Sequence, residues 1–327
     1  MADNFNRIGL GTFPLASVYN PITKEHAQGV IHAFMENGGY YIDTAPMYGS
    51  GSVETLLGEE LKELSRDRFY IISKCGKSIL PDKTVVKQAS YSEVLKQCDE
   101  SLQRLKLDYI DLYLIHSPDS ITPYEETIKA LKLLKEQGKI KEFGVSNVSF
   151  DQLKEYRKYA DIRYVQNRFS FINRSISDEF LEYMEKNEIQ FIPYHVLEIA
   201  QLTGTILETE NLGVSDFRGT FNYFKAGPVS EIREWVRNYM LPIAKKYEYT
   251  IGQLAMTWVL QQPHIPFLIV GTTKNNYLTI NMKSNSLNQP ITMQKELEEA
   301  YNQLETQIFA KYKTSLKNFR GLNDRYY

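Results

Sequence analysis

Eight short runs of apolar and β-branched residues recur along the chain, each separated from the next by a segment with helical spacing. They are RIGLGTF at 7–13, YYIDTA at 40–45, FYIISKC at 69–75, YIDLYLIHS at 109–117, KEFGVSN at 141–147, YVQNRFS at 164–170, QFIPYHV at 190–196 and FLIVGT at 267–272. Strands that are apolar on both faces and joined by helical crossovers form parallel sheets. Eight of them close most naturally into a (β/α)8 TIM barrel, an α/β fold in which one domain accommodates a chain of this length. A single barrel domain over residues 1–327 is therefore expected, with a C-terminal helical extension from about residue 290.

The rival six-stranded dinucleotide fold needs G-x-G-x-x-G opening the first helix. Here GLGTFP puts Pro14 where the third glycine belongs, and GSG at 49–51 is not followed by one. About 70 residues separate the seventh and eighth strands, holding TGTILETENLGVSDFRGTFNYFKAGPVSEI and then the helical segments REWVRNYMLPIAKKY and TIGQLAMTWVLQQ. Excursions of that length in compact domains are usually functional loops or lids. Beyond the last strand, NNYLTINMKSN and TMQKELEEAYNQLETQIFAKY read as two more helices, the second covering an outer face or one barrel end.

The charges, 38 basic against 40 acidic, are dispersed without single-sign runs. That argues against nucleic acid or an anionic membrane as partner and leaves a small molecule. No stretch approaches 18 uninterrupted apolar residues, and MADNFNRIGLGTF lacks a basic segment followed by an apolar one, so a cytoplasmic protein acting as a monomer is expected. Cys75 and Cys98 form no CxxC pair and there is no His-x-His or HExxH spacing, so reduced thiols and no metal are expected. Cys75 follows Lys74 and should point the other way, toward the outer helices.

In such barrels reactive residues sit at the C-terminal ends of the strands. The second strand delivers Asp43 and, in the loop after it, Tyr48; the third delivers Lys74; the fourth delivers His116. Asp43 would hold Lys74 in place and charged. A phenol with an ordinary pKa of about 10 beside an ammonium becomes a better proton donor near neutrality. With Tyr48 in that position and His116 polarising a carbonyl oxygen, the set suits carbonyl reduction where a hydride source lies alongside.

At this point the sequence resembles the aldo-keto reductase superfamily. IDTAPMYGSGSVETLLGEEL matches its D-T-A-x-x-Y-G segment followed by a Glu, ISKCG its strand-three Lys, and DYIDLYLIHSPD its strand-four His. The resemblance makes Asp43, Tyr48, Lys74 and His116 the catalytic tetrad. It extends through GKIKEFGVSN, where Ser146 and Asn147 fall on ligands of the nicotinamide carboxamide, through Gln166 with a similar part, and to Tyr194, whose ring would stack on the nicotinamide.

Departures follow in the stretches that hold the cofactor's phosphates. After Tyr194 the family's Ser-Pro-Leu is His195-Val196-Leu197, and the glycine expected a few residues on is Ala200. A His side chain can hydrogen-bond a pyrophosphate in place of the serine. In VGTTKNNYLTIN the resemblance assigns cofactor contacts to Gly271, Thr272, Thr273, Lys274 and Asn281, at a helix start suited to an anion. The frequent arginine for the adenosine 2′-phosphate is Tyr277, leaving Lys274 as the loop's cation. NADPH is the expected cofactor, with NADH the alternative.

Phe13, Tyr19, Met47, Lys77, Asp119 and Arg168 are the candidate wall of the substrate cavity. Their mixed aromatic and charged character suggests a sugar-like or otherwise polar aldehyde or ketone. The altered phosphate loops leave one alternative, a cofactor-binding regulatory barrel with little turnover.

Overall fold

The computed structural model describes residues 5–80, 84–204, 216, 218 and 228–319. The strands are β1 (Ile8–Gly11), β2 (Tyr41–Asp43), β3 (Tyr70–Cys75), β4 (Lys77–Ile79), β5 (Val85–Lys87), β6 (Ile110–Ile115), β7 (Ile140–Ser146), β8 (Tyr164–Arg168), β9 (Gln190–Tyr194) and β10 (Leu268–Gly271). Eight of them form one all-parallel sheet in the order β10-β1-β2-β3-β6-β7-β8-β9. The seam between β9 and β10 is bridged where Phe191 N–H donates to His264 O at 2.8 Å. The result is a nearly closed (β/α)8 barrel, with each sequence run supplying one of its strands.

The helices between them are α1 (Lys24–Glu36), α2 (Ser52–Leu61), α3 (Tyr91–Leu105), α4 (Tyr124–Glu136), α5 (Phe150–Arg157) and α6 (Asp178–Lys186). Beyond β9 come α7 (Val229–Trp235), a π turn, α8 (Leu241–Lys246) and α9 (Ile251–Leu260), then α10 (Asn275–Met282) and α11 (Ile291–Tyr312) after β10. Their ends follow local chemistry. Thr250 and Gln253 form a capping box that starts α9, and α4 is followed by Gly138 at φ 74°, which donates to Lys135 O.

Inside the barrel lie Tyr41, Ile72, Leu112, Leu114, Ile192, Phe267 and Ile269. The alternate residues of the same strands pack outward against the helices, Cys75 among them beside Cys98 of α3. Burial pushes the Cys98 thiol up to about 12 and Cys75 higher still, so neither is a reactive thiolate. A Cβ on Gly9 would stand 2.8 Å from Ile269, and one on Gly11 2.9 Å from it. The two glycines of GLG therefore make room for a neighbouring strand's side chain; they form no phosphate turn.

Two features differ from the sequence reading or refine it. Residues 77–87 contain an antiparallel hairpin, β4 with β5, which extends β3 over the C-terminal rim. Helix α11 packs on the outer layer and not on a barrel end. Trp235 Nε1 donates to Ala300 O at 2.6 Å, and Arg174 makes a two-pronged ion pair with Glu298 at 2.7 and 3.0 Å. Apart from Asp216 and Arg218, the insertion from 205 to 227 lies outside the described residues, as do residues 320–327. Among the described residues no helix is long and apolar enough to cross a membrane.

Candidate active site

Thr12 donates both its backbone N–H and its Oγ1 to Asp43 O, at 3.0 and 2.8 Å, which locks the ends of β1 and β2 together. The Asp43 carboxylate then faces Lys74, whose side chain points into the barrel. Lys74 Nζ donates to both Asp43 oxygens at 2.8 Å and to Thr44 O at 2.9 Å, and lies 3.4 Å from Tyr48 Oη. Burial lowers the Lys74 ammonium from its usual value, and the charge and hydrogen bonds of Asp43 oppose that shift. The nitrogen is thereby fixed beside the phenol by two strands.

Tyr48 is placed by a tight turn in which Gly49 and Gly51 adopt φ of 59° and 90°. These are left-handed conformations in which glycine avoids the Cβ penalty. The turn opens α2, whose Glu54 is fully buried. It accepts from Ser73 Oγ of β3 at 2.7 Å and from Arg104 Nε of α3 at 2.8 Å. Ser73 precedes Lys74, so this buried clamp fixes the Tyr48 loop against the strand that carries the lysine.

His116 follows β6, and its backbone N–H donates to Cys75 O at 2.8 Å. Its ring lies 6.2 Å, centroid to centroid, from that of Tyr48. Burial first, then Lys77, Lys74 and Lys87, hold its pKa well below the ordinary value, so the imidazole is neutral. A neutral imidazole has one N–H to give and leaves the proton transfer to the phenol. Asp43, Tyr48, Lys74 and His116 thus meet at one point.

A second group lies beside the first. Ser146 and Gln166 are register partners on β7 and β8. Gln166 Nε2 donates to Asp43 Oδ1 at 2.8 Å. Asn147, at φ 57°, donates to His116 O at 2.8 Å and to Ser146 Oγ at 3.0 Å, and its Oδ1 accepts from Tyr194 Oη at 2.5 Å. Asn147 therefore braces the ring of Tyr194 and the backbone of His116. Among the described residues, the Ser146 hydroxyl proton and Gln166 Oε1 carry no hydrogen bond within the protein. One donor beside one acceptor is the complement of a carboxamide.

The loop after Tyr194 runs through four non-glycine residues with positive φ: His195 at 56°, Glu198 at 47°, Ile199 at 53° and Ala200 at 72°. A left-handed conformation costs an ordinary residue about 1–2 kcal/mol, and a β-branched isoleucine is an outlier there. At Ala200 this explains why the resemblance expects glycine. Short turns hold the loop, with Glu198 N–H on His195 O at 2.7 Å and the Glu198 carboxylate accepting from Ser170 Oγ at 2.7 Å. Burial and then Arg168 keep the His195 pKa well below its ordinary value.

At the opposite side, Gly271 ends β10, Thr272 Oγ1 accepts from Lys274 N–H at 3.1 Å, and Lys274 caps α10. The Lys274 ammonium sits 5.3 Å over the Tyr277 ring, and Asn281 is buried on the same helix. His26 of α1, which the sequence gave no reason to single out, contacts Thr273 O. It ties this loop to the first helix.

The wall residues divide. Phe13 packs edge-on to Tyr48 at 5.1 Å and Tyr19 edge-on to Phe13 at 6.1 Å. Met47 is buried directly before Tyr48, while Lys77 begins β4 and Arg168 ends β8, both at the C-terminal rim. Asp119 stands apart. Its oxygens accept from the N–H groups of Ala89, Ile121 and Thr122 and from Thr122 Oγ1, so this carboxylate organises the rim loops. The sequence offered no sign of Arg218, which pairs with Asp216 and lies 5.6 Å over the Tyr19 ring.

The Aldo/keto reductase family model matches residues 7–302. An NADH-specific methylglyoxal reductase of Escherichia coli is 30% identical over 313 residues, covering 90% of this chain and 95% of that protein. The aldo-keto reductase YhdN of Bacillus subtilis is 31% identical over 276 residues, with 84% and 83% covered. Among solved structures, the glycerol dehydrogenase AKR11B4 of Gluconobacter oxydans superposes with a TM-score of 0.80 at 26% identity, covering 92% of each chain. An aldo-keto reductase of Klebsiella pneumoniae, solved in complex with NADPH, shares the fold with a TM-score of 0.71 at 23% identity, covering 91% of each chain.

Proposed function

The chain belongs to the aldo/keto reductase family, and from that premise we propose that it reduces a polar aldehyde or ketone to the alcohol with Tyr48 as the proton donor. The observation that carries this reading is Lys74 held between Asp43 and Tyr48, with a neutral His116 ring beside the phenol. A nicotinamide cofactor, NADH or NADPH, supplies the hydride when bound. The relatives include one named for NADH and a structural neighbour solved with NADPH.

The residues present fit such a group. Ser146 and Gln166 offer the donor and acceptor a carboxamide needs, and Tyr194, fixed through Asn147, offers a ring face. His195 and Leu197 border the strained loop, and Gly271, Thr272, Thr273, Lys274, Tyr277 and Asn281 form the loop and helix start suited to the phosphates. Lys274 is a point charge and not a planar fork, so it discriminates a 2′-phosphate less sharply than arginine would.

In the chemical step His116 donates its N–H to the carbonyl oxygen and fixes its position. Tyr48 Oη gives that oxygen a proton as negative charge builds on it, and the Lys74 ammonium stabilises the phenolate left behind. Asp43 keeps the ammonium in place throughout. The barrel's contribution is position and electrostatics.

The test is a fluorescence titration with NADPH and NADH, following energy transfer from Trp235 and Trp258, and then a carbonyl panel with the cofactor that binds. Micromolar binding with turnover supports the reading. Tight binding with no turnover on the panel favours the regulatory alternative, and no binding of either cofactor ends both.

A further inference from the structure

Arg104 belongs to the outer helix α3, yet its side chain ends beneath the turn that carries Tyr48. Helical side chains lean toward the N-terminus of their own helix, which for α3 is the rim end of the barrel. The Arg104 backbone lies where α3 meets Gly58 of α2, so close that a Cβ on Gly58 would stand 2.3 Å from Arg104 O. From there the side chain runs along α2 to Gly51, whose own Cβ would stand 2.8 Å from Arg104 Cδ and 2.9 Å from Nε. The guanidinium closes on Glu54, with Nε and Nη2 each 2.8 Å from Oε2. Ser101 of the same helix donates its hydroxyl to that oxygen at 3.3 Å.

Two reactive groups therefore hang from one ion pair. Tyr48 is held through Gly51, three residues on, which is seated on Arg104. Lys74 is held through Ser73, its neighbour on β3, whose hydroxyl donates to Glu54 Oε1 at 2.7 Å. Adjacent strand residues face opposite sides, so Ser73 meets α2 on the outside while Lys74 enters the barrel. Glu54 is fully buried. Packing two helices does not itself require a buried charge, because an apolar pair of similar volume is often as stable or more so. What the ion pair adds is direction, since charge-assisted hydrogen bonds fix the carboxylate and, through it, both the turn and the strand. The charge also reaches the ammonium: burial lowers the Lys74 pKa, and after Asp43 the Glu54 carboxylate opposes that shift. We propose that Arg104 and Glu54 are positioning residues for the reduction, setting the approach of Tyr48 Oη to Lys74 Nζ from outside the barrel wall without touching substrate or cofactor. The inference rests on the reductase reading of the same site.

The experiment uses the full-length enzyme with the nicotinamide cofactor it binds, and methylglyoxal and glyceraldehyde as substrates. Arg104→Leu combined with Glu54→Leu removes both charges together, so no buried charge is left unpaired and the double variant should fold. Because a misplacement of about 1 Å can cost about 10²-fold in rate, its kcat should fall by about 10–100-fold. KM and the cofactor Kd should stay within about threefold of wild type. Arg104→Lys keeps a charge on Glu54 but not the planar fork, and its kcat should lie between the two. Lys139→Ala, which breaks an exposed ion pair with Asp99 of the same helix, is the control and should leave kcat unchanged. The phenol gives a second readout that needs no turnover. Carbon-13 NMR of labelled tyrosine, compared with Tyr48→Phe, follows the ionisation of Tyr48, which should move to higher pH in the double variant once the ammonium is no longer held beside it.

A folded double variant with wild-type kcat and an unmoved phenol titration overturns the proposal and leaves the reductase reading standing. A fall in kcat matched by equal losses in KM and cofactor affinity, or shared by Lys139→Ala, also overturns it, because that marks a general disruption of the fold. Should the double variant not fold, Arg104→Lys is read by the same criteria. Absence of wild-type turnover on both aldehydes counts against the reductase reading itself. In that case the phenol titration still decides, since a shift in the variant supports the positioning role and no shift overturns it.

Discussion

Tyr41 and Tyr48 belong to one strand and the loop after it, yet they stand at opposite ends of the barrel. At the N-terminal end Tyr41 stacks on Phe267 at 3.8 Å and packs edge-on to Tyr40 and Tyr70. Burial pushes its phenol up to about 12 and that of Tyr70 further. Arg7 seals this end by donating to the carbonyls of Leu260, Ile265 and Pro266 at 2.9, 2.6 and 3.0 Å. At the other end the same residue type meets an ammonium 3.4 Å away, with a carboxylate and a neutral imidazole beside it. One end places its polar groups where they hold the chain together, and the other places them where protons can move.

Tyr48→Phe tests that contrast with the largest expected effect. The ring and its contact with Phe13 stay while the proton donor goes. Turnover should fall by about 10²–10⁴, with cofactor affinity within a few-fold of wild type. Steady-state kinetics with a separate cofactor titration measure both, and wild-type turnover in this variant would sink the mechanism.

Asp43→Ala comes next, because it removes the partner of an ammonium that is 2% exposed. Leaving one buried charge uncompensated costs about 3–5 kcal/mol, read by urea unfolding. The loss should shrink at high pH, where the orphaned lysine gives up its proton. A cost below about 1 kcal/mol would mean that water reaches Lys74 freely and that the pair is not the rigid centre of the site.

How far this division was readable in the sequence differs from residue to residue. The barrel strands announced themselves because both their faces are buried and their apolar runs are continuous. Asp43, Lys74 and His116 stood out because each closes such a run with a polar group, whereas Tyr48 lies in the loop after β2 and was singled out by the resemblance of its D-T-A-x-x-Y-G segment. The β4–β5 hairpin did not stand out, since each arm has three residues and lacks a buried apolar stripe. The sequence signal that could have found it is the Pro-Asp dipeptide, a common turn pair, lying between KSI and VVK. The left-handed run Glu198-Ile199-Ala200 was not legible either, because it contains no glycine to mark it. Asp119 looked like a wall residue from its place after β6, but its ligands are backbone amides whose positions only the fold determines.

Acid should expose the contrast without any mutation. His116 and His195 are both held neutral in the folded state by burial, with pKa values well below the ordinary value of 6.5. Between those depressed values and 6.5 the unfolded chain binds more protons, so stability is complete above about 6.5 and is lost as pH falls below it. Each histidine contributes a slope of up to about 1.4 kcal/mol per pH unit. The packed tyrosines of the N-terminal plug add no slope in this range, because burial raises the phenols of Tyr40, Tyr41, Tyr70 and Tyr164. Urea midpoints between pH 7 and 5 measure the slope, and His116→Gln should lower it.

The smallest effect is the most direct control on the comparison. Tyr41→Phe deletes one hydroxyl from a ring whose stack on Phe267 and edge contacts with Tyr40 and Tyr70 remain. If the N-terminal end serves packing alone, the variant should keep wild-type kcat/KM. Its unfolding free energy should change by no more than about 1 kcal/mol, the net worth of a hydrogen bond. The same atom is removed as in Tyr48→Phe, from a residue seven positions earlier, so any general effect of losing a phenol cancels between the two. A drop in turnover comparable to that of Tyr48→Phe would show that the two ends are coupled through β2, and that the plug takes part in setting the geometry of Asp43.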